Sequence, residues 1–466
     1  MPTPTPPSVL RSPRLWLGTG LIAAVVSMLF ALLYVGGNVN PRGDLRDLPV
    51  ALVNEDAGAR AGGRQVDAGA QVVAGIEKAA KDDDSIDWQV LTRAEADRKL
   101  GQGKVYGALV IPKDFSATVT GLLAPPPAAA GAQAPAGKPA AAQQKQVAQK
   151  PAAPPSLTVL TNQSAGSIGS SMASQASQKA AHTASARIGQ DLLKQAAAAK
   201  AQLPPAARLM LADPVTVTVA DGHPLGDRSA MGLSAFYYAL VLVVCGMLGA
   251  NVVNSQLDSA LGYLHADFGP FRQRMPVRHT NRVRTLAIGS VLMAGLSVVM
   301  GTLVEVATVG LLDMDASHLG LLWVYSVAAI MVVGISALAL FAAFGTPGML
   351  LATIVFIAAA VPSSGATVPI HALPEFFRTL SAFEPLRQIT DGLRAILYFD
   401  AQGDAGLARG WTAMGIALAV SLVFGFAVTR LYDRRGLHRI PHPADAQEDA
   451  GTKTGTAADE PAPATA

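Results

Sequence analysis

Between Gly232 and Tyr432 the chain is a series of long apolar runs separated by short polar ones, and no other stretch holds as much hydrocarbon. The runs are Gly232 to Val253, Thr285 to Leu312, Leu319 to Phe344, Met349 to Val361 and Trp411 to Tyr432. Four of them meet the roughly 20 apolar residues that carry a helix across a bilayer's hydrocarbon. The fourth in order, Met349 to Val361, is short and ends at Pro362. It spans only if Phe344 to Gly348 is added, or if it sits in a thinned or re-entrant setting. A chain with this pattern is restricted to helices that satisfy their own backbone polar groups.

Composition agrees: 50% of residues are hydrophobic, 15% are charged, and the mean hydropathy is +0.34. The net charge of +3 is small and the arginines gather at the edges of the apolar runs, which excludes the basic face of a nucleic-acid binder. Cys245, the single cysteine, lies inside an apolar run, so the chain has no internal disulfide and no thiolate metal site.

A further apolar run, Leu15 to Val35, follows Arg11 and Arg14. It exceeds the roughly 7 to 15 residues of a signal peptide's apolar region, so it reads as an uncleaved anchor with its amino terminus inside. From Asn38 to about Ala230 no spanning run occurs, and the pattern is one of alternating strands and helices. Strands are expected at Leu48 to Val53, Asp87 to Leu91, Val105 to Ile111, Leu157 to Leu160 and Val215 to Val219. Helices are expected at Val66 to Ala80, at Arg93 to Leu100 behind the cap Thr92, after Asp114, and from Ser164 to Ala201 before Pro204-Pro205. Between Ala124 and Pro155 the sequence is Ala, Pro, Gln and Gly, too poor in apolar bulk to offset chain entropy, and disorder is expected.

The segment Asn254 to Arg284 carries Arg272, Arg274, Arg278, Arg282 and Arg284, and the tail carries Arg430, Arg434, Arg435 and Arg439. Positive loops stay cytoplasmic, so both ends and this loop share one side. The expected fold is an α-helical integral membrane protein of about six spans with a large extracytoplasmic α/β domain between spans 1 and 2. Its parts are a cytoplasmic start (1–14), an anchor (15–35), the α/β domain (36–231) with its insert (124–155), a five-span domain (232–432) and a disordered cytoplasmic tail (433–466). In the outer loop, Leu373, Phe376, Phe377, Leu380 and Phe383 fall on one helical face, and Leu386, Ile389, Leu393, Ile396 and Leu397 continue after Pro385. Two amphipathic helices lying at the outer membrane surface, or dipping into it, are expected, with Pro385 first in the second helix.

One long outer domain, five further spans and the outer helix Glu384-Pro385-Leu386-Arg387 through Gly392-Leu393-Arg394 resemble an ABC-2 type transporter permease. Leu48 to Asn54 and Tyr106 to Ser116 resemble its YhgE/Pip branch. The resemblance implies a plasma-membrane subunit of a bacterial transporter, paired as a homodimer or heterodimer.

Gly101-Gln102-Gly103-Lys104 and Gly131 to Lys138 lack the spacing and Ser/Thr of a phosphate-binding loop, so any ATP-driven motor is a separate cytoplasmic ATP-binding subunit. No HExxH and no paired nucleophile and base appear; His438 and His442 are separated by Pro441 and have no third ligand nearby. No enzyme, metal or cofactor is therefore expected. Glu305 stands inside an apolar run, where a carboxylate needs a partner helix, water or a cavity. In the Asn254 to Arg284 loop, Leu261, Leu264, Phe268 and Phe271 recur at spacings of three and four, which is the pattern of a short amphipathic helix. Phe268, Phe271, Arg272, Arg274 and Arg278 are thus candidates for docking the ATP-binding subunit, with headgroup contact the competing role of the arginines. On the outer helices Phe376, Phe377, Pro385, Arg387 and Arg394 are the marked positions. The leading expectation is export of a hydrophobic or amphipathic compound or of a cell-envelope component. A membrane-anchored receptor or secretion-machinery subunit is the alternative.

Overall fold

A computed structural model describes residues 13–38, 40–61, 64–122, 154–198, 204–263, 266–268, 271–273 and 276–437. Nearly all of the Ala/Pro-rich insert, the first 12 residues and the tail beyond residue 437 lie outside these. The chain divides into two units. The first residues form helix α1 (Pro13–Gly36), 24 residues that rise about 36 Å.

The α/β unit covers residues 40–233 with 367–374. Its sheet has the order β4-β1-β5-β6-β7, from β1 (Leu48–Asn54), β4 (Ile86–Leu91), β5 (Gly107–Ile111), β6 (Ser156–Thr161) and β7 (Thr216–Asp221). β1 runs parallel to β4 and β5, β6 is antiparallel to β5, and β7 is parallel to β6. Alternation along the strands makes two cores. Leu52, Leu109, Ile111, Leu157 and Val159 face Val72 and Ile76 of α2 (Ala68–Ala80) and Ala181, Ala184 and Leu192 of a long helix, α5 (Ser167–Ala198). The neighbouring positions Ala51, Val53, Ala108, Val110 and Leu160 face Ala96 and Leu100 of α3 (Arg93–Leu100).

Local chemistry sets the boundaries. Asp67 caps α2 through Ala70 N, and Thr92 with Glu95 forms a reciprocal capping box at α3. The hairpin β2 (Ala59–Ala61) with β3 (Arg64–Val66) delays the start of α2 relative to the expected Val66. Asp56 ties the exit of β1 to α4 (Phe115–Gly121): its carboxylate accepts from Ser116 N at 3.0 Å and from Gly69 N at 2.9 Å. Pro205 begins a further helix, α6 (Pro205–Ala212), since proline fits the first turn, where no N–H is needed.

Beyond α1, the membrane unit holds α7 (Ser234–Ala260), α8 (Arg282–Leu311), α9 (Leu319–Phe344), α10 (Thr346–Ser363) and α13 (Leu407–Arg434). These five are long and apolar enough to cross a membrane. Their outer faces are apolar as well: Val291, Leu303, Ile416 and Val423 are exposed, which suits hydrocarbon rather than water. α9 is the central helix, packed against α7, α8 and α13. The fourth apolar run does extend to spanning length, 18 residues, with a π turn at Ile354–Ala358.

The loop after α7 departs from expectation. In place of an amphipathic helix, residues 266–268 (β8) and 271–273 (β9) pair antiparallel, with Phe268 opposite Phe271 and Asp267 opposite Arg272. Gly-Pro at 269–270 stands between them, and a proline there removes the donor a continuing helix would use. Leu264 and Arg274 lie outside the described residues, as do the side chains of Phe268, Phe271 and Arg272.

Candidate functional site

The two outer helices have unequal fates. α11 is only Glu375–Leu380, so Phe376, Phe377 and Phe383 do not share one buried face: Phe377 is buried while Phe376 and Phe383 are exposed. The Phe377 ring packs at the end of α1, where a methyl on Gly36 would lie 3.8 Å from it.

α12 (Pro385–Tyr398) is more enclosed than a surface helix. Leu386, Ile389, Leu393 and Ile396 are buried as the spacing predicts, and so are Gln388, Thr390, Gly392 and Arg394. The helix enters the bundle, lying against α7, α9 and α13. Tyr325 of α9 donates to the carbonyls of Gln388 and Ile389, both at 3.3 Å, while Pro385 and Gln388 share a cavity with Val332 and Ser336. The first turn of α12 therefore lies roughly 10 Å further along α9 than Tyr325, at the helical rise. At the other end of α12 the Tyr398 hydroxyl meets Ser234 Oγ at 2.6 Å and accepts from Ala235 N at 3.0 Å.

Four charged side chains ride on this inserted helix. Pro385 occupies the first turn, and the preceding Glu384 caps it, its two oxygens accepting from Leu386 N and Arg387 N, each at 2.8 Å. Glu384 lies outside the five spanning helices but is almost wholly enclosed, and burial pushes its carboxyl up to about 8, against the pull of those two N–H donors and of Arg387. Arg387 donates to Ser381 O at 3.2 Å and Ser381 Oγ at 2.8 Å. Asp391 stands between Arg387, at 3.7 Å, and Arg394, at 3.8 Å. The Asp391 carboxylate between two arginines offsets part of their charge, which is one way an enclosed helix tolerates ionisable groups. Arg394 is buried, and its Nε and Nη2 have no hydrogen-bond acceptor among the described residues.

Beside the tip of α12 is a cavity of about 400 Å³, walled by Val332, Phe356, Ile389, Met414 and Phe424 among others. Its polar points are few: the Ser336 and Ser421 hydroxyls, 2.7 Å apart, and Gln388. Gln388 donates to Ala382 O at 3.1 Å, but its Oε1 is buried with no donor among the described residues. The π turn of α10 supplies Val355 and Phe356 to the wall; such turns widen a helix locally and recur at working sites. An apolar chamber with a few fixed polar groups is suited to holding an apolar or amphipathic molecule.

Glu305 belongs to a separate place. It is half-buried near the end of α8, just before the π turn Val306–Leu311. Its Oε2 is enclosed without a donor among the described residues, and it lies within electrostatic range of Tyr238, whose hydroxyl meets Ser326 Oγ at 2.9 Å. Of the loop positions singled out earlier, Arg278 is described and exposed, its carbonyl accepting from the Tyr263 hydroxyl. The structure brings Pro385, Arg387 and Arg394 together on α12. Glu384, Gln388, Asp391 and Tyr325 complete their surroundings and were not singled out as site residues by sequence. The charges at positions 384, 387, 391 and 394, spaced three and four, were the available signal. Among the described residues no cluster of His, Cys, Asp and Glu could hold a metal ion, and Cys245 is a half-buried free thiol. His438 and His442 lie outside the described residues.

No curated protein and no solved structure matches the chain. The model of one family matches residues 19–417, a stretch that starts within α1 and ends within α13. That match takes in most of the chain, which thus belongs to the family described as "Protein of unknown function (DUF3533)".

Proposed function

We propose that the chain is the membrane subunit of an ABC-2 type exporter of the YhgE/Pip kind, moving a hydrophobic or amphipathic compound or a cell-envelope component with a separate ATP-binding subunit. The observation that carries the reading is α12: a short, charge-bearing helix inserted among five apolar ones, with an apolar cavity of about 400 Å³ at its tip. In this reading α1 is the first of six spans, the α/β unit lies outside the cell, and α11 and α12 are a re-entrant pair entered from that side. The hairpin of β8 and β9 is the docking element for the ATP-binding subunit, which would receive a compact paired structure rather than a helix.

The test is recovery of the full-length protein from its own membranes under mild crosslinking, with identification of what comes with it. An ATP-binding chain is expected in the parent sample and is expected to be lost with Phe268→Ala plus Phe271→Ala at equal membrane abundance. A parent sample with no ATP-binding chain would sink the exporter reading and leave a membrane-anchored receptor or secretion-machinery subunit in its place.

A further inference from the structure

The α/β unit contains a second cavity, of about 390 Å³, between α2, α5 and the edge strand β4. Its walls are apolar, formed by Val72 and Ile76 of α2, Trp88 of β4 and Met172 of α5, and Ala176 and Ala180 leave the space open. Successive turns of α5 bring Lys179, Thr183 and Arg187 to the rim at intervals of four, beside the stripe Met172, Ala176, Ala180, Ala184 and Ile188. The Arg187 guanidinium reaches across to α2, where a methyl on Gly75 would come within 3.1 Å of Nη1.

The rim carries both signs, Lys179 and Arg187 with Asp83 and Asp191, but the two acids are engaged elsewhere. Asp191 is paired with Lys194 at 3.4 Å, and the Ser85 side chain, together with Ser85 N at 3.0 Å, holds the Asp83 carboxyl below the usual range. Asp83 exerts a lesser attraction on Lys179. Arg187 has no hydrogen bond or ion pair among the described residues, and both cations are exposed. An apolar chamber of this size with cations at its mouth is complementary to one small molecule, not to water.

We propose that this cleft binds a single-chain amphiphile with an anionic head, a medium- or long-chain carboxylate, its chain against Trp88, Val72 and Ile76 and its carboxylate on Arg187 and Lys179. Arginine suits the head because its planar fork meets a carboxylate with two parallel bonds. The segment 123–153 is a poorer occupant: it carries Lys138, Lys145 and Lys150 and no acidic residue, so it brings charge of the same sign. The inference is independent of the exporter reading, since it requires neither an ATP-binding partner nor transport.

The experiment uses the full chain in phosphatidylcholine nanodiscs with a diazirine-bearing dodecanoate and, as the neutral control, its methyl ester. After illumination the labelled peptides are mapped by mass spectrometry, and labelling of the spanning helices by probe dissolved in the bilayer serves as the internal standard. The carboxylate is expected to label peptides covering Val72 to Ile76 and Met172 to Ile188, and the ester to label them at least several-fold less. Lys179→Glu with Arg187→Glu, both at exposed positions, is expected to cut that labelling by about tenfold or more. Ala180→Leu, which fills the chamber while leaving the charges, is expected to cut it as well. Labelling confined to the spanning helices, equal labelling by the ester, or labelling indifferent to the charge reversal would overturn the assignment. So would an order-of-magnitude rise on deleting residues 124–153, which would make that segment the occupant.

Discussion

At the scale of single residues, Glu384 carries the strongest conflict. It is enclosed among apolar neighbours, yet both its oxygens are committed to backbone N–H groups that open α12. Gln in its place keeps one acceptor oxygen and strands one donor, at a cost of about 1–3 kcal/mol. The pH dependence separates this loss from a general loss of packing. Burial raises the carboxyl from its ordinary 4.5 to about 8, so the folded state holds the proton more tightly than the unfolded one. The sign follows by linkage: the stabilising contribution is complete below 4.5 and is lost as pH rises through about 8. Thermal unfolding in detergent should show the parent losing stability between these values and Glu384→Gln losing markedly less. Parallel curves for the two would mean that Glu384 does not titrate in this window. The sequence did display this residue, since Glu before Pro followed by an apolar periodicity is an N-terminal helix signal. It gave no sign of the enclosure, because burial of a capping group is decided by which other helices arrive.

At the scale of elements, the legible features were those with a strong local cause. The Thr92 cap, the apolar runs and the strand expected at Val105 to Ile111 are each specified within about ten residues; the cap forms with Glu95 as a capping box and the strand runs from Gly107 to Ile111. The loop after α7 was misread because spacings of three and four fit a helix, whereas the Gly-Pro pair inside them favours a turn between two short strands. The depth of α12 was open for a different reason: it depends on two glycines meeting one tyrosine from a distant helix. Tyr325 of α9 lies against Gly392 of α12 and Gly410 of α13, and a methyl at either glycine would fall within contact distance of its hydroxyl. Trp411 closes the other side, its ring 5.2 Å from that of Tyr325 and nearly perpendicular. Gly392→Ala should therefore overpack this junction and cost about 1–3 kcal/mol. Tyr325→Phe alone should cost about 0.5–1.5 kcal/mol, from its two long hydrogen bonds. Because the hydroxyl is the atom in the way, the double variant should be less destabilised than the sum of the singles. Additive losses in a thermal-shift series would show that α12 does not rest on this contact.

At the scale of the whole molecule, the membrane unit's two ends differ in charge, and the structure shows which polar segments share an end. Asp433, at the close of α13, accepts from Arg282 N at 3.0 Å and Val283 N at 3.1 Å at the opening of α8, and Arg282 lies over the Tyr432 ring. The arginines at 278, 282 and 284 therefore stand at the same end as those at 430, 434 and 435. The opposite end of the helices carries Asp313, Asp315, Asp400 and Asp404 against one exposed arginine, Arg409, in the first turn of α13, with His318 near Asp400 at 3.4 Å. If the arginine-rich end is the cytoplasmic one, as the charge rule proposes, the orientation of all five helices follows at once, since consecutive ones alternate in direction. In that orientation α7 begins at the opposite end, so the α/β unit that leads into it would lie outside, and α1 as a sixth span would return the amino terminus to the cytoplasm. The single native cysteine makes this measurable. In a Cys245→Ser background, Lys81→Cys in the α/β unit, Asp315→Cys and Arg435→Cys each place one thiol at an exposed position. A membrane-impermeant maleimide should label the first two in intact cells and the third only after permeabilisation. Labelling of Arg435→Cys alone in intact cells would invert the whole arrangement. Labelling of Asp315→Cys without Lys81→Cys would break the arrangement as well, because only residues 222–233 separate β7 from the start of α7, so the α/β unit must share the side on which α7 begins.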